Sequence, residues 1–273
     1  PTLYGRKHGG NNSAMTPYYE HAGITIYHGD CREILPEISS VGVVVTDPPY
    51  TFGLASTAQE GKAGGWGDLM NNSLFFGAWL GECRRLVSNS GGAAWVFNSW
   101  RSMPVLARAA YEIRWPITSL MVWDKQWIGP GGMVGLRPSY ELVALFAAAG
   151  FQVTDRGTPD IWRCQWASQR PHGHAAEKPQ ALMQRLILAG GDGVVLDPFL
   201  GSGTTIAAAA HLGRSAIGIE IEKRYCEIAA NRLEQEVLPL YVEPAPDPQQ
   251  GSLHDAAGSD VIEDMKNEAP VTA

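Results

Sequence analysis

The chain has 273 residues, of which 45% are hydrophobic and 18% charged, enough for one large α/β domain with an apolar core. No apolar run approaches the roughly 20 residues of a membrane span, and residues 1–16 lack the apolar stretch of a signal peptide, so we expect a cytoplasmic protein. The four cysteines are scattered without a zinc-binding spacing. We therefore expect reduced thiols and no metal site.

The net charge of −7 argues at first against a nucleic-acid partner, but the acidic residues are unevenly distributed. Residues 243–273 contain seven of the 28 acids and one of the 21 bases, so the rest of the chain is close to neutral. This acidic tail is rich in Pro, Gln, Gly and Ser, and we predict that it is disordered. Residues 1–16 form a polar arm predicted to be flexible, within which Met15 could be a natural start.

Apolar periodicity predicts alternating strands and helices between the arm and the tail. The predicted strands are residues 23–27, 41–46, 92–97, 116–123, 140–147, 193–196 and 215–219, and the predicted helices are residues 31–38, 73–88, 100–113, 179–189, 203–212 and 222–236. Such a succession is typical of an α/β domain, here expected over residues 17–242, with a mostly parallel central sheet flanked by helices. Residues 51–72 show no apolar period, and we interpret them as a lid because they leave directly from a candidate site.

The first candidate site is Asp47-Pro48-Pro49-Tyr50, which follows the predicted strand over residues 41–46. Open α/β sheets bind ligands at the carboxyl ends of their strands. A carboxylate, a carbonyl held rigid by two prolines and a flat ring suit a planar amino group on a heterocycle. The alternative is a simple strand-to-loop turn, since Asp-Pro and Pro-Pro occur in many loops.

The second candidate site is the loop Asp197-Pro198-Phe199-Leu200-Gly201-Ser202-Gly203-Thr204-Thr205, between a predicted strand and a predicted helix. Its glycines allow a ligand to approach the backbone, and the start of the helix favours an anion. The third glycine of a dinucleotide fingerprint and the lysine of a phosphate-binding loop are both missing. The next strand ends at Glu220, a position where an acid commonly binds ribose hydroxyls. These features describe a pocket for a nucleoside with an amino-acid-like end, and S-adenosylmethionine is such a molecule.

The sequence DPPY at 47–50, followed by DPFLGSGTT at 197–205, resembles the paired motifs of the DNA amino-methyltransferases in the order of their β class. Three further segments agree with this family: residues 28–31, 174–179 and 218–222. The resemblance covers residues 23–236 and implies a Rossmann-like, S-adenosylmethionine-dependent methyltransferase fold with a circularly permuted motif order. It also implies double-stranded DNA as the partner, and a bacterial or phage-infected cell in which the protein associates with the nucleoid.

The resemblance also implies roles for individual residues. Asp47, Pro48, Pro49 and Tyr50 would form the catalytic site for the target amine. The residues expected to bind the cofactor are Asp30, Cys31, Lys178, Asp197, Phe199, Gly201, Ser202, Gly203, Thr204 and Glu220. Within this set, Asp30 would bind the adenine amine and Glu220 the ribose. Lys178 would contact the methionine carboxylate, or is simply a surface lysine ahead of a helix.

Two short segments, residues 124–139 and 151–173, are the candidates for DNA recognition. Trp127 in the first and Arg156, Arg163 and Arg170 in the second are the expected DNA contacts, because guanidinium groups bind phosphates and rings stack on bases. The alternative for residues 151–173 is a partly buried tryptophan cluster covered by arginine side chains. Family relatives often carry a longer insert, so two copies sharing DNA recognition in a homodimer are consistent with this chain.

The leading functional hypothesis is transfer of a methyl group to the N6 amine of a flipped-out adenine in duplex DNA. Cytosine N4 is the first alternative, because the chemistry is the same. Amines or amides of RNA or protein are further alternative substrates, and a catalytically silent DNA-binding module is the non-enzymatic alternative. We expect no metal at His172 and His174, since Glu177 is the only acid near them and no cysteine pair accompanies them.

Overall fold

The computed structural model describes residues 15–49, 73–128, 135–166 and 177–237 of the chain. The strands in these ranges are β1 (Tyr19–His21), β2 (Ile24–His28), β3 (Val43–Thr46), β4 (Ala93–Asn98), β5 (Ser119–Asp124), β6 (Tyr140–Ala147), β7 (Ile161–Arg163), β8 (Val195–Asp197) and β9 (Ala216–Glu220). The helices are α1 (Cys31–Ile34), α2 (Ser73–Ser88), α3 (Met103–Glu112), α4 (Gln180–Ala189), α5 (Thr204–His211) and α6 (Lys223–Val237). A 3₁₀ turn, Leu35–Glu37, follows α1 directly.

All nine of these strands belong to one sheet, in the order β1-β2-β9-β8-β3-β4-β6-β5-β7. The five strands from β2 to β4 in this order are mutually parallel. Strand β6 is antiparallel to both of its neighbours, and β7 is parallel to β5. The mostly parallel sheet predicted from the sequence is therefore confirmed, and the carboxyl ends of β2, β9, β8, β3 and β4 meet at one edge.

Both faces of the sheet are buried, as expected for parallel strands that read as apolar runs. In β3, Val43 and Val45 pack into the cluster that includes side chains of α4, α5 and α6, while Val44 packs into the cluster on the other face. That second cluster includes side chains of α1, α2 and α3. All four positions of β3 are buried, so packing on both faces holds the strand in place. This packing also positions Asp47, which directly follows the strand.

Two strands lie outside the predicted elements. The short β1 pairs with β2 in antiparallel orientation at one end of the sheet. Strand β7 lies inside the segment 151–173, where the interleaved arginines and tryptophans obscured its period. Within it Trp162 is only 2% exposed and the guanidinium of Arg185 lies 4.0 Å from its ring centroid, so this part of the segment is a buried tryptophan covered by an arginine.

Candidate active site

One cavity of about 540 Å³ lies at the carboxyl edge of the parallel strands and is lined by both sequence motifs. Asp47, Pro48 and Pro49 contribute one wall, and the loop of residues 197–202 contributes another. Every residue predicted to bind target amine or cofactor lines this cavity, with two exceptions. Tyr50 lies outside the described residues, and Gly203 is not part of the lining. Two segments about 150 residues apart in the sequence therefore face the same space.

Asp47 is held by a lysine rather than left to solvent. Lys178 Nζ lies 2.5 Å from Asp47 Oδ2 and 3.2 Å from Glu141 Oε2, with only 8% of the lysine side chain exposed. Burial alone would lower the pKa of Lys178, but the carboxylates of Asp47 and Glu141 outweigh it and raise that pKa above its ordinary value. Lys178 also lines the cavity, and its contact with the methionine carboxylate stays a prediction.

Asp197 lines the cavity and also joins the two motifs through hydrogen bonds. Its Oδ1 accepts hydrogen bonds from Thr46 Oγ1 at 2.7 Å and from the Phe199 amide at 3.1 Å. Its Oδ2 accepts a hydrogen bond from Thr205 Oγ1 at 2.5 Å. Burial raises the pKa of Asp197 to about 6. Since Thr46 directly precedes Asp47, these bonds fix the glycine loop against the end of β3.

Glu220 shapes the glycine loop from the end of β9. Its Oε2 accepts a hydrogen bond from the Gly201 amide at 2.7 Å, and its Oε1 accepts one from the Glu222 amide at 2.8 Å. Burial raises the pKa of this carboxyl above its ordinary value. The carboxylate lines the cavity, so it can still accept hydrogen bonds from a ligand through its remaining lone pairs.

Gly203 serves packing at the start of α5. It has a φ of +84°, and a Cβ built on it would lie 2.8 Å from Cβ of Ala229 in α6. Any side chain here would therefore push the two helices apart. The sequence pattern predicts a glycine at this position for ligand approach. In the structure, the close approach of Ala229 in α6 is what requires it.

Asp30 and Cys31 lie at the end of β2, beside the end of β9. Asp30 caps α1 by accepting a hydrogen bond from the Arg32 amide at 2.9 Å, and it also forms an ion pair with the Arg32 guanidinium. That hydrogen-bonded pair holds the pKa of Asp30 below its ordinary value, so it is an ionised acceptor on the cavity wall. Burial raises the pKa of the Cys31 thiol to about 12, which leaves it a packing residue rather than a nucleophile.

Two acids at the site were not singled out as site residues from the sequence. Glu177 lines the cavity, and its Oε1 accepts a hydrogen bond from the buried Arg232 at 2.9 Å. Its Oε2 has no hydrogen-bond partner among the described residues. Glu141 reaches the site only through Lys178, and no sequence motif surrounds it. Its position beside Lys178 follows from the pairing of β6 with β4.

The residues predicted to contact DNA fall into separate groups. Trp127 is 38% exposed and stacks on Trp166 with ring centroids 4.5 Å apart, just beyond the carboxyl end of β5. Arg163 is nearby and pairs with Asp124 at 3.6 Å. Arg156 instead lines a second cavity with Ser119, the first residue of β5, so it lies toward the opposite edge of the sheet from Asp47. Arg170 belongs to the part of the chain that the structure does not describe.

Among the described residues, no group of three or more His, Cys, Asp or Glu side chains could hold a metal ion. His172 and His174 lie outside those ranges. None of the described helices is both long and apolar enough to cross a membrane.

The lining of the cavity fits S-adenosylmethionine. Its volume of about 540 Å³ lies within the range of roughly 300–1,000 Å³ typical of small-molecule sites. The carboxylates of Asp30 and Glu220 offer acceptors for amine and hydroxyl groups, and the rings of Phe75 and Phe199, 6.1 Å apart, provide apolar surface. This combination of acceptors and aromatic surface matches a nucleoside.

Comparison with known proteins agrees with this site. The family model of the N6/N4 DNA methylases matches residues 41–231. The type II methyltransferase M.ScaI of Streptomyces caespitosus is 28% identical over an alignment of 275 positions. The alignment covers 82% of this chain and 86% of M.ScaI. The DNA adenine methyltransferase YhdJ of Escherichia coli K12 is 29% identical over 250 residues, covering 77% of this chain and 82% of YhdJ.

Solved structures show the same architecture. The crystal structure of the M1.HpyAVI–SAM complex aligns with a TM-score of 0.57 and 25% identity, covering 77% of this chain and 99% of the other. The cytosine-N4-specific PvuII DNA methyltransferase aligns with a TM-score of 0.62 at 19% identity, covering 79% of this chain and 88% of the PvuII chain. At this identity the alignment supports the fold alone. The matched family region contains both motifs that line the cavity. The chain therefore belongs to the N6/N4 DNA methylase family of S-adenosylmethionine-dependent DNA methyltransferases.

Proposed function

We propose that this chain methylates the N6 amino group of adenine in duplex DNA. The observation that carries the proposal is the shared cavity, in which Asp47 and Pro48 at the end of β3 face the same space as the glycine loop of residues 197–202. A target amine bound at the first wall and a nucleoside cofactor bound at the second would then be neighbours.

Asp47 and Pro48 at the end of β3 would make the target amine a better nucleophile. The exocyclic amine of a base delocalises its lone pair into the ring, so it attacks poorly. Asp47 can accept one N–H of this amine and the Pro48 carbonyl the other, which turns the lone pair out of conjugation. The Asp47 carboxylate also stabilises positive charge that develops on the nitrogen. Tyr50, outside the described residues, remains the residue expected to stack on the base.

The opposite wall would hold the methyl donor. Asp30 would accept a hydrogen bond from the adenine amine, Glu220 would accept from the ribose hydroxyls, and Phe199 would pack on the adenosyl group. Glu177 has an oxygen without a partner among the described residues, and we assign it to the α-ammonium of the amino-acid end. When bound, S-adenosylmethionine supplies an electrophilic methyl group on a sulfonium.

The target base must leave the double helix before it can reach a cavity of this kind. Flipping costs a few kcal/mol and needs contacts that hold the opened duplex. The Trp127–Trp166 pair and Arg163 lie beyond the carboxyl ends of β5 and β7, strands that run in the same direction as β3. We assign the DNA contact to this edge of the sheet.

Adenine is favoured over cytosine by two observations. Asp in the first position of the tetrapeptide is the form seen most often in adenine-modifying members of the family that the sequence resembles. In addition, the relative YhdJ, 29% identical to this chain, is named a DNA adenine methyltransferase.

Nucleoside mass spectrometry tests the proposal. The purified chain is incubated with S-adenosylmethionine and plasmid from a host that lacks DNA methylation, and the digested nucleosides are then quantified. We expect N6-methyladenine with the wild type and none with Asp47→Ala. N4-methylcytosine in its place would overturn the choice of base. The absence of any methylated nucleoside, with RNA or protein labelled instead, would overturn DNA as the substrate.

A further inference from the structure

Four side chains of alternating charge form a row that ends at Asp47. Lys125 Nζ lies 3.3 Å from Glu141 Oε1, and Lys178 Nζ lies 3.2 Å from Glu141 Oε2 and 2.5 Å from Asp47 Oδ2. The two lysine side chains are only 11% and 8% exposed, and the glutamate is 21% exposed. Ion pairs that are this poorly exposed are screened little by water or salt.

The sheet topology explains why these residues meet. Glu141 is the second residue of β6, opposite Trp123 of β5, and Lys125 follows β5 directly. Strand β6 pairs on its other side with β4, which in turn neighbours β3 and therefore Asp47. Lys178 precedes α4 and lies between the two carboxylates, with its ammonium 5.1 Å from the Phe97 ring centroid.

A buried ammonium that is shared between two carboxylates behaves differently from one that is bound to a single carboxylate. With both present, the positive charge of Lys178 is distributed between Asp47 and Glu141. Burial alone would raise the pKa of Glu141, but the lysines Lys178 and Lys125 outweigh it and lower that pKa, so Glu141 is ionised at neutral pH. Without Glu141, Asp47 would be the only carboxylate among the described residues paired with Lys178, and the two would bind more tightly.

We propose that Glu141 is a positioning residue for methyl transfer, which acts by drawing the Lys178 ammonium partly away from Asp47 so that the Asp47 carboxylate can accept the target amine. The inference rests on the proposed function. An ammonium bound tightly to Asp47 competes with the amine for the same oxygens and reduces the negative charge that stabilises the transition state. Glu141 itself does not line the cavity, so it would act through Lys178.

The test uses Glu141→Gln in the full chain, with single-turnover methyl transfer measured on a preformed enzyme–DNA complex. We expect the rate to fall at least tenfold, while the dissociation constant for S-adenosylmethionine, measured by calorimetry, changes less than twofold. Glu141→Asp keeps the charge and should recover part of the rate. Glu112→Gln is the matched control, because Glu112 pairs with Arg108 on the exposed surface of α3, and it should leave the rate unchanged.

A double-mutant cycle separates positioning from structural damage. If Glu141 acts through Lys178, adding Glu141→Gln to Lys178→Met should change the remaining rate less than twofold. An undiminished effect of Glu141→Gln in that background would overturn the proposal. So would an unslowed Glu141→Gln or, if that variant fails to fold, an unslowed Glu141→Met, which also removes the charge. A wild type that is inactive on DNA would overturn the proposed function as well, whereas an active wild type with an unslowed variant overturns this inference alone.

Discussion

The ammonium of Lys178 lies 2.5 Å from Oδ2 of Asp47, although 131 residues separate the two in the sequence. One belongs to the segment before α4, and the other follows β3. The contact therefore links the predicted catalytic tetrapeptide to the segment that precedes α4, β8 and β9. It also means that Asp47 performs its proposed chemistry as one partner of an ion pair.

The first prediction concerns Asp47 itself. Asp47→Asn preserves the size of the side chain but removes the charge that would stabilise positive charge on the amine, so we expect methyl transfer to fall about 100-fold or more. Binding of S-adenosylmethionine should change little, because Asp30 and Glu220 on the opposite wall are intact. Transfer of a labelled methyl group to DNA measures the first quantity and calorimetry the second.

The matched control for this substitution is Asp155→Asn. Asp155 accepts a hydrogen bond from the Gly157 amide in an exposed turn and lines the second cavity, toward the opposite edge of the sheet from Asp47. It should leave methyl transfer at the wild-type level. Residual activity in Asp47→Asn within tenfold of wild type would contradict the role proposed for the carboxylate.

The second prediction separates two glycines with similar backbone angles. Gly203 has a φ of +84° and its missing side chain makes room for Ala229, whereas Gly213 has a φ of +67° with open space around it. Gly213→Ala should cost about 1 kcal/mol from backbone strain alone. Gly203→Ala adds the overpacking of α5 against α6, roughly 1–3 kcal/mol more. Urea unfolding measures both, and equal losses would show that Gly203 has no special packing role.

The positions of the acids could be predicted from the sequence because of one physical rule. Apolar branched runs form buried strands, and parallel strands that end in Asp47, Asp197 and Glu220 bring those residues to the same edge of a sheet. What each carboxylate contacts depends on packing that no local pattern reveals. Asp197 has the same sequence context as Asp47, yet its oxygens accept hydrogen bonds from two threonine hydroxyls and an amide, whereas Asp47 forms an ion pair with Lys178.

The position of Glu141 beside Lys178 could not be predicted from the sequence for a different reason. Residues 140–147 were correctly predicted as a strand, but a hairpin strand can pair on either side of its partner. Only the order β4-β6-β5 places Glu141 near Lys178. Similarly, the tryptophans and arginines of residues 151–173 look alike in sequence. The structure buries Trp162 under Arg185 and leaves Trp166 stacked on the partly exposed Trp127.

The third prediction uses the titration of Asp197. Burial raises its pKa in the folded state from the ordinary 3.8 to about 6, so the folded protein binds this proton more tightly than the unfolded chain does. The stabilising effect of the bound proton is complete below pH 4 and is lost as the pH rises through 6. Relative to Asp197→Asn, the free energy of unfolding of the wild type should therefore fall by up to about 3 kcal/mol between pH 4 and 7.

Urea unfolding at half-unit pH steps gives this difference directly. The comparison with Asp197→Asn removes the contributions of other carboxyls, such as Glu220, whose pKa is raised in both proteins. Asparagine keeps one acceptor oxygen for Thr46 and Phe199, so the variant should fold. A difference that stays constant over this pH range would show that Asp197 titrates normally.

The last prediction concerns the partly exposed pair Trp127 and Trp166. Trp127 stacks on Trp166 with ring centroids 4.5 Å apart and an interplanar angle of 28°, and the Trp166 amide donates a hydrogen bond to the Lys125 carbonyl. The pair is thus fixed beside the row of charges that leads to Asp47. Trp127→Ala should weaken DNA binding about tenfold, since stacking of a base on an aromatic ring contributes roughly 1–3 kcal/mol. Cofactor affinity should remain unchanged, because Trp127 does not line the cavity.

Fluorescence anisotropy with labelled duplex DNA, in the presence of S-adenosylmethionine, measures this affinity. Tyr111→Ala is the control, because Tyr111 is 84% exposed near the end of α3, a helix that runs from the carboxyl end of β4 back toward the amino ends of the strands. Its loss should leave DNA affinity as it is. Equal DNA affinities of the Trp127→Ala and Tyr111→Ala variants would contradict the DNA contact proposed for Trp127 in residues 124–139. The contacts that hold the opened duplex would then have to come from another segment.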